Sequence, residues 1–106
     1  MLVVLRFPAT SDGFVDLAGD ALAALAACPG YQRGQLARGY DEPDSWCLVT
    51  EWESVGAYRR ALGSYDVKLR GTPLFGLAIP EASAFEVLAT ADPGGAVIIF
   101  GSDRAG

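Results

Sequence analysis

The stretch from Trp46 to Leu62, WCLVTEWESVGAYRRAL, leaves the chain few ways to fold. With period two, Trp46, Leu48, Thr50 and Trp52 occupy one strand face, and Cys47, Val49, Glu51 and Glu53 occupy the other. Ser54 can cap a helix by accepting a backbone N–H, after which Val55, Tyr58, Ala61 and Leu62 share one face. One helical turn past the strand end, Tyr58 swings back toward the Trp52 side. A strand that runs straight into a helix needs neighbouring strands, and the flanking sequence supplies them.

Leu2 to Phe7 (LVVLRF) is a β-rich run that stops at Pro8. Ser11 or Asp12 can cap the helix that follows, where Phe14, Leu17, Ala18, Ala21, Leu22 and Leu25 recur at helical spacing until Cys28-Pro29-Gly30 ends it. Residues 31–40 (YQRGQLARGY) alternate loosely, with Gly34 and Gly39 marking a bulge or bend. The turn Asp41-Glu42-Pro43-Asp44 joins that run to Trp46–Trp52 as a hairpin. A short helix is expected around Tyr65 to Arg70, then a loop rich in Pro, Gly and apolar residues, then a strand over 83–88 (SAFEVL). The order β-α-β-β-α-β is the ferredoxin-like split unit of an α+β fold, with a helical insert before the last strand. The two halves match in pattern but not in residues, so no repeat is read. Further on, Ala91-Asp92-Pro93-Gly94-Gly95 signals a turn and Ala96 to Phe100 an extra strand, whose VIIF run calls for a sheet edge of its own chain or of a partner's. The expected division is 1–89 for the domain and 90–106 for a C-terminal extension with an edge or exchanged strand.

Composition narrows the function classes. A chain of 106 residues is one domain, and 51% hydrophobic against 20% charged residues can bury a core. A domain so small and so apolar also leaves apolar surface exposed, which predicts a homodimer. Net charge is −5, and the cationic residues form no basic tract, which argues against nucleic acid as a partner. The N-terminal apolar run is too short for a signal peptide or a membrane span, so a cytoplasmic chain without a membrane partner is expected. Cys28 and Cys47, with no partner ligands nearby, read as reduced small hydrophobes rather than a disulfide or a metal site. There is no histidine, which removes the usual general base, metal ligand and proximal haem ligand together. Gly94-Gly95 precedes a strand instead of following one, the wrong order for a dinucleotide loop. No metal and no other cofactor is therefore expected.

The residues that remain for chemistry cluster around Trp52. Trp and Tyr carry polar handles that need partners when buried, and Tyr65 and Arg70 follow on the next short helix. Trp52, Tyr58, Tyr65 and Arg70 beside Leu74, Phe75, Leu77 and Ile79 describe an apolar pocket with a few polar points. Read on its own, Arg70 beside Lys68 is equally a solvated helix arginine. Glu51 and Glu53 read as a sheet-edge or dimer ion-pair site rather than as paired catalytic carboxylates, and Arg59-Arg60 as a solvated helix face.

The segments PGY, LVTEWESVGAYRRAL, SYDVKLR and FEVL together resemble the antibiotic biosynthesis monooxygenase (ABM) superfamily over residues 1–89. The resemblance implies a dimeric α+β barrel, in which two ferredoxin-like sheets face each other with helices outside. Some members oxidise anthrones or quinols with molecular oxygen, using neither metal nor flavin; others degrade haem. Carried onto this sequence, it implies catalytic roles for Trp52 and Tyr58, and for Arg70 as the cation that holds the substrate oxygen. The anthrone oxidisers carry an asparagine where this chain has Leu48, and this chain contains no asparagine. The haem degraders use an Asn, a Trp and a His, of which only the Trp is present, which disfavours that branch.

Cofactor-free oxygenation suits the groups at hand. A deprotonated quinol or anthrone passes an electron to oxygen by itself, so the protein need only exclude water, hold the substrate flat and stabilise its anion. Arg70 would pair with the phenolate or peroxide, and Tyr58 or Tyr65 would donate or shuttle a proton. Leu48, Thr50, Tyr65, Leu74, Phe75 and Leu77 would line the substrate site. The expected partners are a small phenolic aromatic, such as a polyketide intermediate, and molecular oxygen. A cofactor-free isomerase or cyclase, and a non-catalytic small-molecule-binding or structural dimer, are the alternatives that the same fold allows.

Overall fold

A computed structural model of the chain describes residues 1–8 and 12–102. The first strand, β1, is Leu2–Phe7, and helix α1, Phe14–Ala26, follows it. Strands β2 (Tyr31–Arg38) and β3 (Trp46–Trp52) form the hairpin, and helices α2 (Val55–Leu62) and α3 (Tyr65–Phe75) come next. Strand β4 is Ala84–Phe85, and two short strands, β5 (Ala89–Thr90) and β6 (Ile98–Ile99), end the series. The main sheet has the order β2-β3-β1-β4, and every neighbouring pair is antiparallel. That is the ferredoxin-like arrangement: β3 lies between the two strands joined by α1.

Alternation decides which sheet face is covered. Val3 and Phe7 of β1 and Leu48, Thr50 and Trp52 of β3 are buried, and the register sets Val3 against Thr50 and Phe7 against Trp46. Ala18, Ala21, Ala24 and Leu25 of α1, with Val67 and Leu74 of α3, close over them. On the opposite face Val4, Cys47 and Val49 are only half-buried, and ion pairs Arg6–Glu81 and Arg33–Glu51 flank them. Among the described residues no helix is long and apolar enough to cross a membrane.

Several local expectations change. Of the two proposed caps for α1, Ser11 lies outside the described residues; the cap is Gly13, not Asp12, and no side chain caps the helix. The β2 irregularity falls between Tyr31 and Arg33, not at Gly34, which keeps regular register opposite Thr50. Ser54 caps α2 as expected, its Oγ accepting from the Ala57 N–H at 3.1 Å. Ala57 and Ala61 take the buried positions there, and Val55 is exposed.

Helix α3 does not stop at Arg70. It continues through Pro73 to Phe75. Proline forfeits one backbone bond, which costs roughly 3 kcal/mol in a helix interior. Full burial of Leu74 offsets that cost, and the Phe75 ring lies over side-chain-free Gly71.

The expected strand over 83–88 is divided. Val4 donates to the Ser83 carbonyl at 2.7 Å and Leu2 pairs with Phe85, but β1 supplies no further partner. The chain leaves the sheet there and pairs β5 with β6 through the Asp92–Gly95 turn. The extra strand is thus ordered against its own chain, outside the main sheet, and Val97, Ile98 and Ile99 remain exposed.

Gly30 joins α1 to β2 with φ of +88°, and a Cβ there would meet the Ala57 Cβ at 2.4 Å. Gly30→Ala is expected to lower stability by about 2–4 kcal/mol, from backbone strain plus the clash with α2. Urea unfolding checks this; an unchanged midpoint would show that α2 moves aside freely.

Candidate functional site

Trp52 ends β3, and the serine cap that follows begins α2 at once, so strand end and helix start are held together. The indole is 1% exposed. Its Nε1–H donates to Thr50 Oγ1 at 2.8 Å, two residues back on the same strand face. Tyr31 meets it edge-on with ring centroids 5.4 Å apart, and Tyr58 lies tilted against it at 5.5 Å. The indole is therefore sealed among aromatic rings and a hydroxyl, with its single donor already used.

The structure brings Tyr58 to Trp52, as the helical spacing requires. Burial pushes the Tyr58 phenol above its ordinary pKa, so it stays neutral and able to donate at physiological pH. Arg70 stands on α3, where Nη1 donates to Asp66 Oδ2 at 3.2 Å across one helical turn. Of the proposed lining residues, Leu48, Thr50 and Leu74 belong to the closed core. Phe75 packs against that core half-buried, while Tyr65 and Leu77 are exposed. Of the nine proposed residues, Leu48, Thr50, Trp52 and Leu74 are thus sealed in the core, Tyr58, Arg70 and Phe75 are half-buried, and Tyr65 and Leu77 are exposed.

Tyr31 is the member that sequence reading leaves out. It faces Trp52 because β2 begins directly opposite the end of β3, in register Tyr31 to Trp52. The Pro-Gly-Tyr start of that strand was the available signal; the hairpin register was needed to place it. Burial raises the Tyr31 pKa as well.

Two clefts lie away from this cluster. One, of about 350 Å³, is bounded by the start of α1 and by Arg38, Asp44 and Trp46. Arg38 stacks over the Trp46 ring at 5.1 Å and donates to the Pro43 carbonyl, so its guanidinium is engaged in closing the hairpin. The other, of about 460 Å³, lies between the open sheet face and the C-terminal hairpin, bordered by Gln32, Glu51, Glu86 and Phe100. Among the described residues no cluster of His, Cys, Asp and Glu could hold a metal ion.

A split β-α-β-β-α-β unit with an aromatic cluster at the end of its central hairpin strand defines an α+β domain of the ferredoxin-like class. Solved structures share this fold. SnoaB, a cofactor-independent oxygenase from Streptomyces nogalater, matches at TM-score 0.64 and 23% identity over 98% of this chain and 93% of its own. A Mycobacterium tuberculosis protein matches at 0.63 and 21%, over 86% and 94% of the two chains. A conserved protein from Methanosarcina mazei Go1 matches at 0.62 and 15%, over 78% and 84%. The antibiotic biosynthesis monooxygenase family model matches residues 7–69, and the chain belongs to that family. No curated protein matches it in sequence.

The half-buried phenol makes the pH response specific. Folding favours neutral Tyr58, so its contribution to stability is full below the unfolded phenol pKa of ~10 and is lost as pH rises through the higher folded value. Subtracting the alkaline phenolate titration of Tyr58→Phe from that of the wild type should reveal a phenol that ionises above ~10. A difference titration centred at or below that value would contradict the burial.

Proposed function

We propose that this protein is a monooxygenase that oxidises an electron-rich phenolic aromatic of the anthrone or quinol type, such as a polyketide intermediate, without metal or flavin. The observation that carries the reading is the Trp52–Tyr58 ring contact at 5.5 Å, inside the segment that matches the family. The fold shared with SnoaB, a cofactor-independent oxygenase, supports it.

For an anthrone the reaction balances without a cofactor. The methylene carbon loses a proton, the carbanion passes one electron to oxygen, and the radical pair combines to a peroxide. Loss of water then leaves a ketone, so one oxygen atom enters the product and the other leaves as water. Trp52 would serve as a rigid dry wall, Tyr58 as a neutral donor to the developing oxyanion, and Arg70 as its counter-charge. The Arg70–Asp66 pair is partly exposed and within one helix, a kind worth little, so a substrate anion can compete for the guanidinium.

The functional unit in this reading is a homodimer. Val4, Cys47 and Val49 are only half-buried in the described chain, and a second copy would cover them and close the α+β barrel. Residues 90–106 would act as an arm, with exposed Val97, Ile98 and Ile99 against the partner. The two unpaired cysteines suit a reducing cytoplasm.

A second reading has its own observation. Trp52 is sealed, its donor is spent on Thr50, and Leu48 stands where the anthrone oxidisers of this family carry asparagine. These favour a dimer that binds a small aromatic, or serves structurally, without turnover.

Oxygen uptake with dithranol, a dihydroxyanthrone, separates the two. The oxygenase should consume one oxygen molecule per ketone formed, unchanged by chelators; ligand-induced fluorescence change without uptake would favour the binder. Arg70→Gln should reduce kcat by about tenfold to a hundredfold, or ~1.4–2.8 kcal/mol, with little change in melting temperature. Equal turnover would remove Arg70 from the mechanism. Sedimentation of the full chain should give twice 11.1 kDa, and Ile99→Asp should shift it toward monomer; a wild-type monomer at micromolar concentration would end the dimer proposal.

A further inference from the structure

The Trp52 indole has one polar atom, and in this fold that atom is satisfied inside the protein. Its N–H donates to Thr50 Oγ1 at 2.8 Å, with Thr50 2% and Trp52 1% exposed, so water does not compete for the bond. Both residues lie on the helix-covered face of β3, which fixes their separation. Opposite Thr50 in the sheet stands Gly34, and a Cβ built there would come within 2.9 Å of Thr50 Cγ2 and Leu22 Cδ1 and within 2.8 Å of the Tyr31 hydroxyl. The missing side chain lets Leu22, Tyr31 and Thr50 converge over Gly34. Tyr31 and Tyr58 then flank the ring at 5.4 and 5.5 Å.

We infer that Thr50 is a positioning residue: its hydroxyl locks the plane of Trp52 between Tyr31 and Tyr58, which fixes the aromatic cluster on which Tyr58 rests and keeps the indole N–H from any bound aromatic. This rests on the oxygenase reading where turnover is concerned, but the lock itself does not. It changes the roles in the site. Thr50 is not a substrate ligand, Trp52 supplies shape rather than a hydrogen bond, and directed donors to the substrate oxygen must come from elsewhere, Tyr58 and Arg70 being those proposed above. Geometry explains why Thr is apt: its hydroxyl accepts the indole proton while its methyl fills the space left open at Gly34. Serine keeps the acceptor and loses the methyl. Valine keeps the shape and loses the acceptor.

The test compares Thr50→Ser and Thr50→Val on the full chain, in proton–nitrogen correlation spectra, with the Trp46 indole as internal reference. Thr50→Val should shift the Trp52 indole N–H resonance and raise its solvent exchange at least about tenfold, because the orphaned donor must open to find a partner; Thr50→Ser should stay near wild type. Equal exchange in all three proteins would overturn the lock. Thermal unfolding gives an independent check. Thr50→Val should lower the melting temperature by several degrees in the wild-type background and hardly at all in Trp52→Phe, where no indole donor remains. An equal drop in both backgrounds would show that only packing was lost.

Turnover of dithranol is the third arm. Thr50→Val should lower kcat about tenfold with KM little changed, and Thr50→Ser should recover most of it. Equal kcat in variants that differ in indole exchange would overturn the catalytic part of the inference. Absence of turnover in the wild type would instead remove the oxygenase reading, leaving the spectra and the unfolding cycle to decide the lock.

Discussion

The register of β3 is the constraint on which the rest of the molecule depends. This strand is bonded along both edges, to β1 from Leu2–Glu51 to Phe7–Trp46, and to β2 from Tyr31–Trp52 to Arg38–Trp46. A slip of one residue would carry Cys47, Val49 and Glu51 beneath the helices and turn Leu48, Thr50 and Trp52 outward. Burying the Glu51 carboxylate without its Arg33 partner would cost several kcal/mol, and exposing an indole would forfeit its burial energy as well. The two ends of the strand resist slippage too. Trp52 N–H donates to the Met1 carbonyl at 2.8 Å, and Trp46 is held by Phe14 edge-on and by Arg38 across its face.

With that register set, the helices follow from side-chain size. The sheet presents bulk in Phe7, Leu48 and Trp52, and α1 answers with Ala18, Ala21 and Ala24. Small residues on α1 let α3 approach closely, and Leu74 fills the seam completely. The result is one-sided. An antiparallel sheet can leave one face to water when that face is polar, but here Val4, Cys47 and Val49 alternate with the buried set. Charged residues sit at the margins, as Arg6–Glu81 and Arg33–Glu51. The open face thus has an apolar centre with a charged rim.

What could be read from the sequence was local. Ser54 and the helix after it were legible because a cap and its first turn involve four consecutive residues. Strand order followed from alternation and turn chemistry. The failures were those that require knowledge of a distant neighbour. Pro73 ends a helix in isolation, yet burial of Leu74 carries α3 past it. Residues 83–88 look like a single strand, but β1 offers partners only as far as Leu2–Phe85. Around the candidate site, Tyr58 was legible by helical spacing. Tyr31 was not, because its contact with Trp52 exists only through the register of a hairpin. The state of the indole N–H was equally invisible, since residues two apart on a strand share a face without necessarily touching.

Under the oxygenase reading, packing and function are not opposed at Trp52: a catalyst that supplied no redox group of its own would depend on rigidity and dryness, and a ring held by two tyrosines and a buried hydroxyl has both. The same burial limits what the site can do. It raises the Tyr58 pKa, so that phenol stays protonated near neutrality, where it can donate a hydrogen bond but holds its proton more tightly and cannot act as a base. The chain has no histidine to take that part. Under the oxygenase reading, the first proton must therefore leave a substrate acidic enough to lose it to water or to a carboxylate. Anthrones and quinols meet that condition because the resulting charge spreads over the ring system, whereas an ordinary alkane or alcohol does not. On that reading, the absence of histidine narrows the substrate class as much as the aromatic cluster does.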